Sequence, residues 1–132
     1  MKIMVGYEGT KGSERILQVT IQQAKAFGAE VHLVTSLIIS TLDEERLSEK
    51  VQSELDHAKA IMEKEGIACE TQVLIRGKSE GIDLIGYADE HEIDEIVIGA
   101  KKRSKLEKML LGSATQHVIL EGQCPVLTVK VS

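Results

Sequence analysis

The sequence is poor in aromatic residues and cysteine: its 132 residues include no tryptophan, two tyrosines, one phenylalanine and two cysteines. So few rings cannot stack a series of bases, and a net charge of −5 provides no general basic surface. No apolar run approaches the roughly 20 residues that span a bilayer. Cys69 and Cys124 lack metal-ligand spacing, which favours free, buried or half-buried thiols. We therefore expect neither a nucleic-acid binder nor a membrane protein.

The length and the hydrophobic content of 42% predict one globular domain over residues 1–132 with a substantial core. The first apolar run, KIMVGY, begins at residue 2, leaves no room for a signal peptide and therefore predicts a cytoplasmic protein. The four histidines are scattered without paired spacing, so we expect no metal site. His32 is expected to be a packed histidine, whereas His57 and His91 are expected to face solvent.

Strand-like and helix-like patterns alternate along the chain, which predicts an α/β fold whose parallel sheet carries helices on both faces. The third strand alternates apolar and polar residues, as a half-exposed edge strand does. The apolar face of the third helix is assigned to Ile82, Ile85 and Ala88. The predicted strands cover 2–7, 31–36, 67–75, 93–98 and 125–131, and the predicted helices cover 13–28, 43–65, a segment from Ser79, and 113–120.

The segment from Gly99 to Thr115, GAKKRSKLEKMLLGSAT, concentrates positive charge in an acidic protein. It predicts a glycine turn at Gly99, a basic loop, and a helix that starts after Gly112. Amide groups at a helix N-terminus and the helix dipole favour anions. A phosphate site is therefore predicted here; the alternatives are a solvated loop and, for Ser113, a simple helix cap.

Other phosphate and catalytic motifs are incomplete. Gly77-Lys78-Ser79 resembles the end of a P-loop, but Gln72 stands where that motif needs glycine, so Ser79 is interpreted as a helix cap. A phosphoacceptor domain would need a carboxylate after the third strand, where Arg76 lies instead. The serine-elbow motif is missing, and we identify no convincing general base. Enzyme activity would at most be slow ATP cleavage.

Four segments together resemble the universal stress protein family of the adenine-nucleotide α-hydrolase-like superfamily: 2–10 (KIMVGYEGT), 76–79, 93–115 and 124–131. The resemblance implies a three-layer α/β/α fold with a five-stranded parallel sheet in the order 3-2-1-4-5. It also implies a role in the stress response and a homodimer, in many members paired through the last strand, here 125–131. ATP-binding members hold the nucleotide between the ends of strands one and four, here with Mg as a possible companion.

The resemblance also implies the site residues. Lys102 stands where the family motif has its second glycine, and Glu8 stands where it has aspartate. A nucleotide-independent homodimeric regulatory or scaffold protein is therefore the alternative function. The implied set comprises Gly6, Tyr7, Glu8, Ser36 and Ile98 around the adenosine, Gly99, Gly112, Ser113, Ala114 and Thr115 at the phosphates, and Lys101 or Lys102 as the source of positive charge.

Overall fold

The computed structural model describes residues 1–9, 12–37, 44–101 and 112–131, with the backbone alone at 44, 45 and 101. Five parallel strands form one sheet in the order β3-β2-β1-β4-β5, with helices on both faces. The predicted α/β/α architecture and strand order are therefore confirmed. The elements are β1 (Lys2–Gly6), α1 (Ser13–Phe27), β2 (Glu30–Ser36), α2 (Glu44–Lys64), β3 (Cys69–Leu74), α3 (Glu80–Glu90), β4 (Glu95–Lys101), α4 (Ser113–Glu121) and β5 (Val126–Val131).

Two hydrophobic cores lie on opposite faces of the sheet. Residues of α1 and α2, including Leu17 and Leu55, pack on one face against Val5. Residues of α3 and α4, including Leu84 and Val118, pack on the other face against Met4. Because β1 is central and covered on both sides, its side chains form a continuous apolar run rather than an alternating one.

The winding of the chain reverses at β1, which pairs with β2 on one side and with β4 on the other. Gly6 is the last β1 residue in register with both neighbours, opposite Val34 in β2 and Ile98 in β4. In open parallel sheets, this reversal leaves a crevice beyond the carboxyl ends of the strands. The fold therefore positions a cavity next to Gly6 and Ile98.

Gly99 does not form the predicted turn, since it lies within β4 and pairs with Val129. Strand β4 continues to Lys101, opposite Val131, because β5 provides a hydrogen-bonding partner over this length. Glycine suits position 99 because a Cβ would approach the Ile16 Cδ1 atom of α1 at 2.9 Å. The glycine thus allows α1 to lie close to the end of the sheet.

The buried face of α3 also differs from the sequence prediction. Ile82 is exposed, whereas Leu84 and Tyr87 are buried together with Ala88. The carboxylic acid of Asp83 is buried on this helix, where it accepts a hydrogen bond from Ser36. The sequence prediction did not count this acid among the buried residues, and the observed face is rotated by about one residue from the predicted one.

Several smaller predictions can be compared with the structure. Ser79 caps α3, since its Oγ accepts from the amide of Ile82 at 3.3 Å, as predicted. Ser113 is not the cap of α4, because Gly112 occupies that position. His91 is half-buried rather than solvent-facing, since its ring stacks on Tyr87 with centroids 3.8 Å apart. In the described segments, the helices are all too short or too polar to cross a membrane.

Candidate functional site

A cavity of about 490 Å³ opens at the carboxyl ends of the central strands. It gathers residues from the β1–α1 connection, the end of β2, helices α2 and α3, strand β4 and the start of α4. The predicted site residues that line it are Gly6, Tyr7, Glu8, Ser36, Ile98, Gly99, Gly112, Ala114 and Thr115.

The other predicted site residues, Ser113, Lys101 and Lys102, are not among the described residues that line the cavity. Ser113 begins α4 beside the cavity, but its side chain is exposed and is not part of the lining. Lys101 ends β4, and its backbone alone is described. Lys102 and the rest of the basic loop, residues 102–111, lie outside the described residues.

The N-terminus of α4 forms one end of the cavity. The first hydrogen bond of this helix runs from the amide of Gln116 to the carbonyl of Gly112 at 3.0 Å. The amides of residues 113–115 precede that bond and are the donors that a helix leaves without an intrahelical acceptor. Thr115 is buried and donates from Oγ1 to the carbonyl of Gly99 at 3.2 Å, which fixes the helix start against β4.

Gly112 leaves room at this helix end. A Cβ at this position would meet no atom of the described residues within 4 Å. Its backbone angles, φ −61° and ψ 158°, are ones that most residues adopt. Neither the backbone conformation nor the neighbours among the described residues therefore require glycine here. The space beside it fits a ligand that approaches the helix amides.

A second helix N-terminus reaches the same cavity. Helix α1 is capped by Gly12, whose φ of 110° favours glycine, and both Gly12 and Ser13 line the cavity. A Cβ at Gly12 would lie 2.9 Å from the Cβ of Val131, so the helix start is pressed against the end of β5. Two helix N-termini thus direct positive potential into one space.

The opposite wall of the cavity, formed at the ends of β1 and β2, is rich in oxygen atoms. Thr35 donates from Oγ1 to the carbonyl of Tyr7 at 2.6 Å, and Ser36 donates from Oγ to Asp83 Oδ2 at 2.8 Å. Two carboxylates, Glu8 and Glu80, also line the cavity. Acceptor groups therefore predominate here, whereas the helix amides at the other end are donors.

Burial and neighbouring carboxylates raise the proton affinity of Glu80. The pKa of Glu80 is raised, first by the desolvation it suffers among its neighbours and then by the negative charges of Glu8 and Asp83. Its side chain nevertheless retains access to solvent. A ligand that donates hydrogen bonds to Glu80 would stabilise its ionised form against the neighbouring negative charges.

Sequence reasoning missed part of the site because helices α2 and α3 supply it. Lys50 and Glu54 of α2 line the cavity, and a Cβ at Gly9 would overlap the Glu54 carboxylate. Thr35 of β2 and Glu80 of α3 line the cavity and were also missed, as was Asp83, which contacts the lining residue Ser36. Asp83 has a sequence signal, since it lies four residues before Tyr87, at the spacing of one helix face.

Outside this cavity the described residues offer less chemistry. A smaller cavity of about 220 Å³ lies at the other end of β4, beside Ile93 and Cys124. His32 is packed as predicted, with Nδ1 2.7 Å from the hydroxyl of Tyr87, and burial lowers its pKa. The described segments contain no cluster of three or more His, Cys, Asp or Glu residues suited to a metal ion.

Comparison with known proteins identifies the family of the chain. The model of the universal stress protein family matches residues 1–130. A universal stress protein of Methanocaldococcus jannaschii is 31% identical over 143 residues, which cover 98% of this chain and 81% of that protein. The solved structure of a universal stress protein from Archaeoglobus fulgidus has a TM-score of 0.86 at 31% identity, covering 98% of this chain and 97% of that one. A structure of the Archaeoglobus fulgidus protein in complex with dAMP has a TM-score of 0.76 at 30% identity, covering 98% and 96%.

Proposed function

The chain belongs to the universal stress protein family, and we propose that it binds an adenine nucleotide in the cavity beyond β1 and β4. The observation that carries this proposal is the helix N-terminus at Gly112, where a Cβ would meet no atom of residues 1–9, 12–37, 44–101 or 112–131 within 4 Å. A relative at 30% identity was solved with dAMP, which supports the same ligand class here.

The phosphates would lie at the start of α4. The amides of residues 113–115 provide donors, and the dipoles of α1 and α4 favour negative charge in the same place. Thr115 would stabilise this arrangement through its bond to Gly99. Lys101 and Lys102 would add positive charge, lysine acting as a point charge rather than as a close backbone contact.

The adenosine would lie toward Glu8 and Ser36, between the ends of β1 and β2. ATP, with Mg, is our proposed physiological ligand, and related adenine nucleotides are expected to share the site. We further propose that residues 1–132 act as one cytoplasmic domain in the stress response, a role that rests on family membership.

The variant Gly112→Val tests the phosphate end. Valine suits the backbone angles of Gly112, so the fold should persist, but its side chain would occupy the space that a phosphate needs. We expect the affinity for ATP, measured by titration calorimetry, to fall at least about a hundredfold, the cost of about two lost charge-assisted hydrogen bonds. Gln123→Val, an exposed substitution just beyond the other end of α4, is the matched control. Unchanged affinity of Gly112→Val would contradict the site.

The edge of β5 supports a homodimer. Within the described residues, β5 pairs with β4 on one side, and Val126, Leu127 and Thr128 remain half-exposed. An unpaired strand edge with apolar residues is a natural pairing surface for a second copy. We propose a dimer through 125–131, which would also exist in the alternative, nucleotide-independent scaffold function. Light scattering at micromolar concentration should give twice the chain mass, and a monomer would refute the dimer.

A further inference from the structure

The hydroxyl of Ser36 is held in one orientation by a buried acid. Its Oγ donates to Asp83 Oδ2 at 2.8 Å, and the Asp83 side chain is 1% exposed. A serine hydroxyl carries one proton and two lone pairs, whereas an ionised carboxylate accepts hydrogen bonds and donates none. The single proton of Ser36 therefore points to Asp83, and its lone pairs remain for the cavity that it lines.

The neighbouring hydroxyl is oriented in the same way. Thr35 uses its proton on the carbonyl of Tyr7 at 2.6 Å. Glu8 and Glu80 also line the cavity, and they lie near enough for the charge of Glu8 to act on Glu80. These four side chains thus present acceptor atoms to a ligand between the ends of β1 and β2.

We propose that Asp83 is a positioning residue that makes Ser36 a hydrogen-bond acceptor, so that the cavity selects a nucleobase with an exocyclic amino group over a 6-oxo purine. The inference rests on the nucleotide site proposed above and adds its base preference. An amino group donates to the Ser36 oxygen, whereas an oxo group would place two acceptors against each other and leave both unsatisfied.

The test compares AMP with IMP, which carry an amino and an oxo group at position 6. Titration calorimetry gives a dissociation constant for each nucleotide, and their ratio measures the preference. In the unmodified protein we expect AMP to bind at least about tenfold more tightly than IMP, the value of one hydrogen bond gained against one left unmade.

Two substitutions test whether the orientation of the Ser36 hydroxyl determines the preference for AMP. In Asp83→Asn the amide can donate to Ser36, which frees the serine proton to point into the cavity. In Ser36→Ala the hydroxyl is gone. Both changes should bring the AMP-to-IMP ratio close to one, whereas Ser36→Thr, which keeps a hydroxyl, should retain the preference. Asp89→Asn is the matched control because it removes one exposed carboxylate from the same helix, away from the cavity.

The outcomes separate the two proposals. Tight AMP binding with the same ratio in the unmodified protein, Asp83→Asn and Ser36→Ala overturns the role of Asp83 and leaves the nucleotide site intact. Equal affinities for AMP and IMP in the unmodified protein also overturn it. Binding of neither nucleotide, nor of ATP, overturns the proposed function itself. If Asp83→Asn fails to fold, the AMP-to-IMP ratio in Ser36→Ala tests the proposal, and a ratio equal to that of the unmodified protein overturns it.

Discussion

Two glycines on α3 should respond in opposite ways to alanine. A Cβ at Gly81 would lie 2.8 Å from the Cβ of His117 on α4, and 3.0 Å from two of its ring atoms. At Gly86 a Cβ would meet one atom, the Arg76 Nη1, at 3.1 Å. The first neighbour is the root of a side chain on a packed helix, whereas the second is the far end of a long side chain that pairs with Glu90 at the surface.

The magnitudes follow from these contacts. Alanine gains up to about 1 kcal/mol over glycine in a helix interior. Gly86→Ala should therefore stabilise the protein by up to about 1 kcal/mol, because Arg76 can move at little cost. Gly81→Ala must separate α3 from α4 by roughly 0.5–1 Å to restore ordinary contact, and overpacking of this kind costs about 1–3 kcal/mol. Its net effect should be a loss of about 1 kcal/mol or more.

Urea unfolding at equilibrium measures both variants against the unmodified protein. We expect their unfolding midpoints to move in opposite directions with unchanged slopes. The double variant Gly81→Ala/His117→Ala should recover part of the loss, since it removes the ring atoms but keeps the Cβ. If Gly81→Ala proves as stable as Gly86→Ala, the close α3–α4 contact at this position is wrong.

Two further predictions concern titratable groups. The pKa of His32 lies below its usual 6.5 because burial disfavours the imidazolium. As the pH drops, the unfolded chain therefore binds a proton at His32 before the folded protein does, so the free energy of unfolding should fall below about pH 6.5. His32→Gln should flatten this part of the plot of unfolding free energy against pH. An identical pH dependence in the variant would refute this. Burial raises the pKa of the Cys69 thiol to about 11, so a thiol reagent at neutral pH should label the half-buried Cys124 before Cys69. Faster labelling of Cys69 in the folded protein would contradict its burial.

The fold could be predicted from the sequence because local patterns agree with it. The helix stops at Gly28 and Gly66, the capping serine Ser79 and the alternating third strand each lie where the sequence places them. The strand order came from resemblance, since periodicity carries no information about which strands pair. Gly99 was misassigned because a glycine after an apolar run is typical of a turn, whereas here the approach of Ile16 explains it.

The site was predicted in part, and the division has a physical cause. Residues at strand ends and at the start of α4 follow from the motif, so Glu8, Ser36 and Thr115 were predicted, and all three line the cavity. Residues contributed by α2 and α3 depend on how these helices pack, which single-sequence patterns do not encode. Asp83 is the clearest case. A lone carboxylate in a helix is ordinarily assigned to solvent, and its hydrogen-bond partner Ser36 lies 47 residues earlier in the chain.

The contact between Gly12 and Val131 has a consequence for biosynthesis. The cavity needs β1 and the start of α1, which leave the ribosome early, but also Gly99, the start of α4 and the end of β5, which emerge much later. A nascent chain that stops before β5 has Glu8 and the start of α1 but lacks Val131, which also lines the cavity. Ligand binding during translation would therefore stabilise the chain only after residues 126–131 have paired with β4. A ligand of this cavity would thus favour chains in which β5 has already paired, and it would not guide the earlier folding steps.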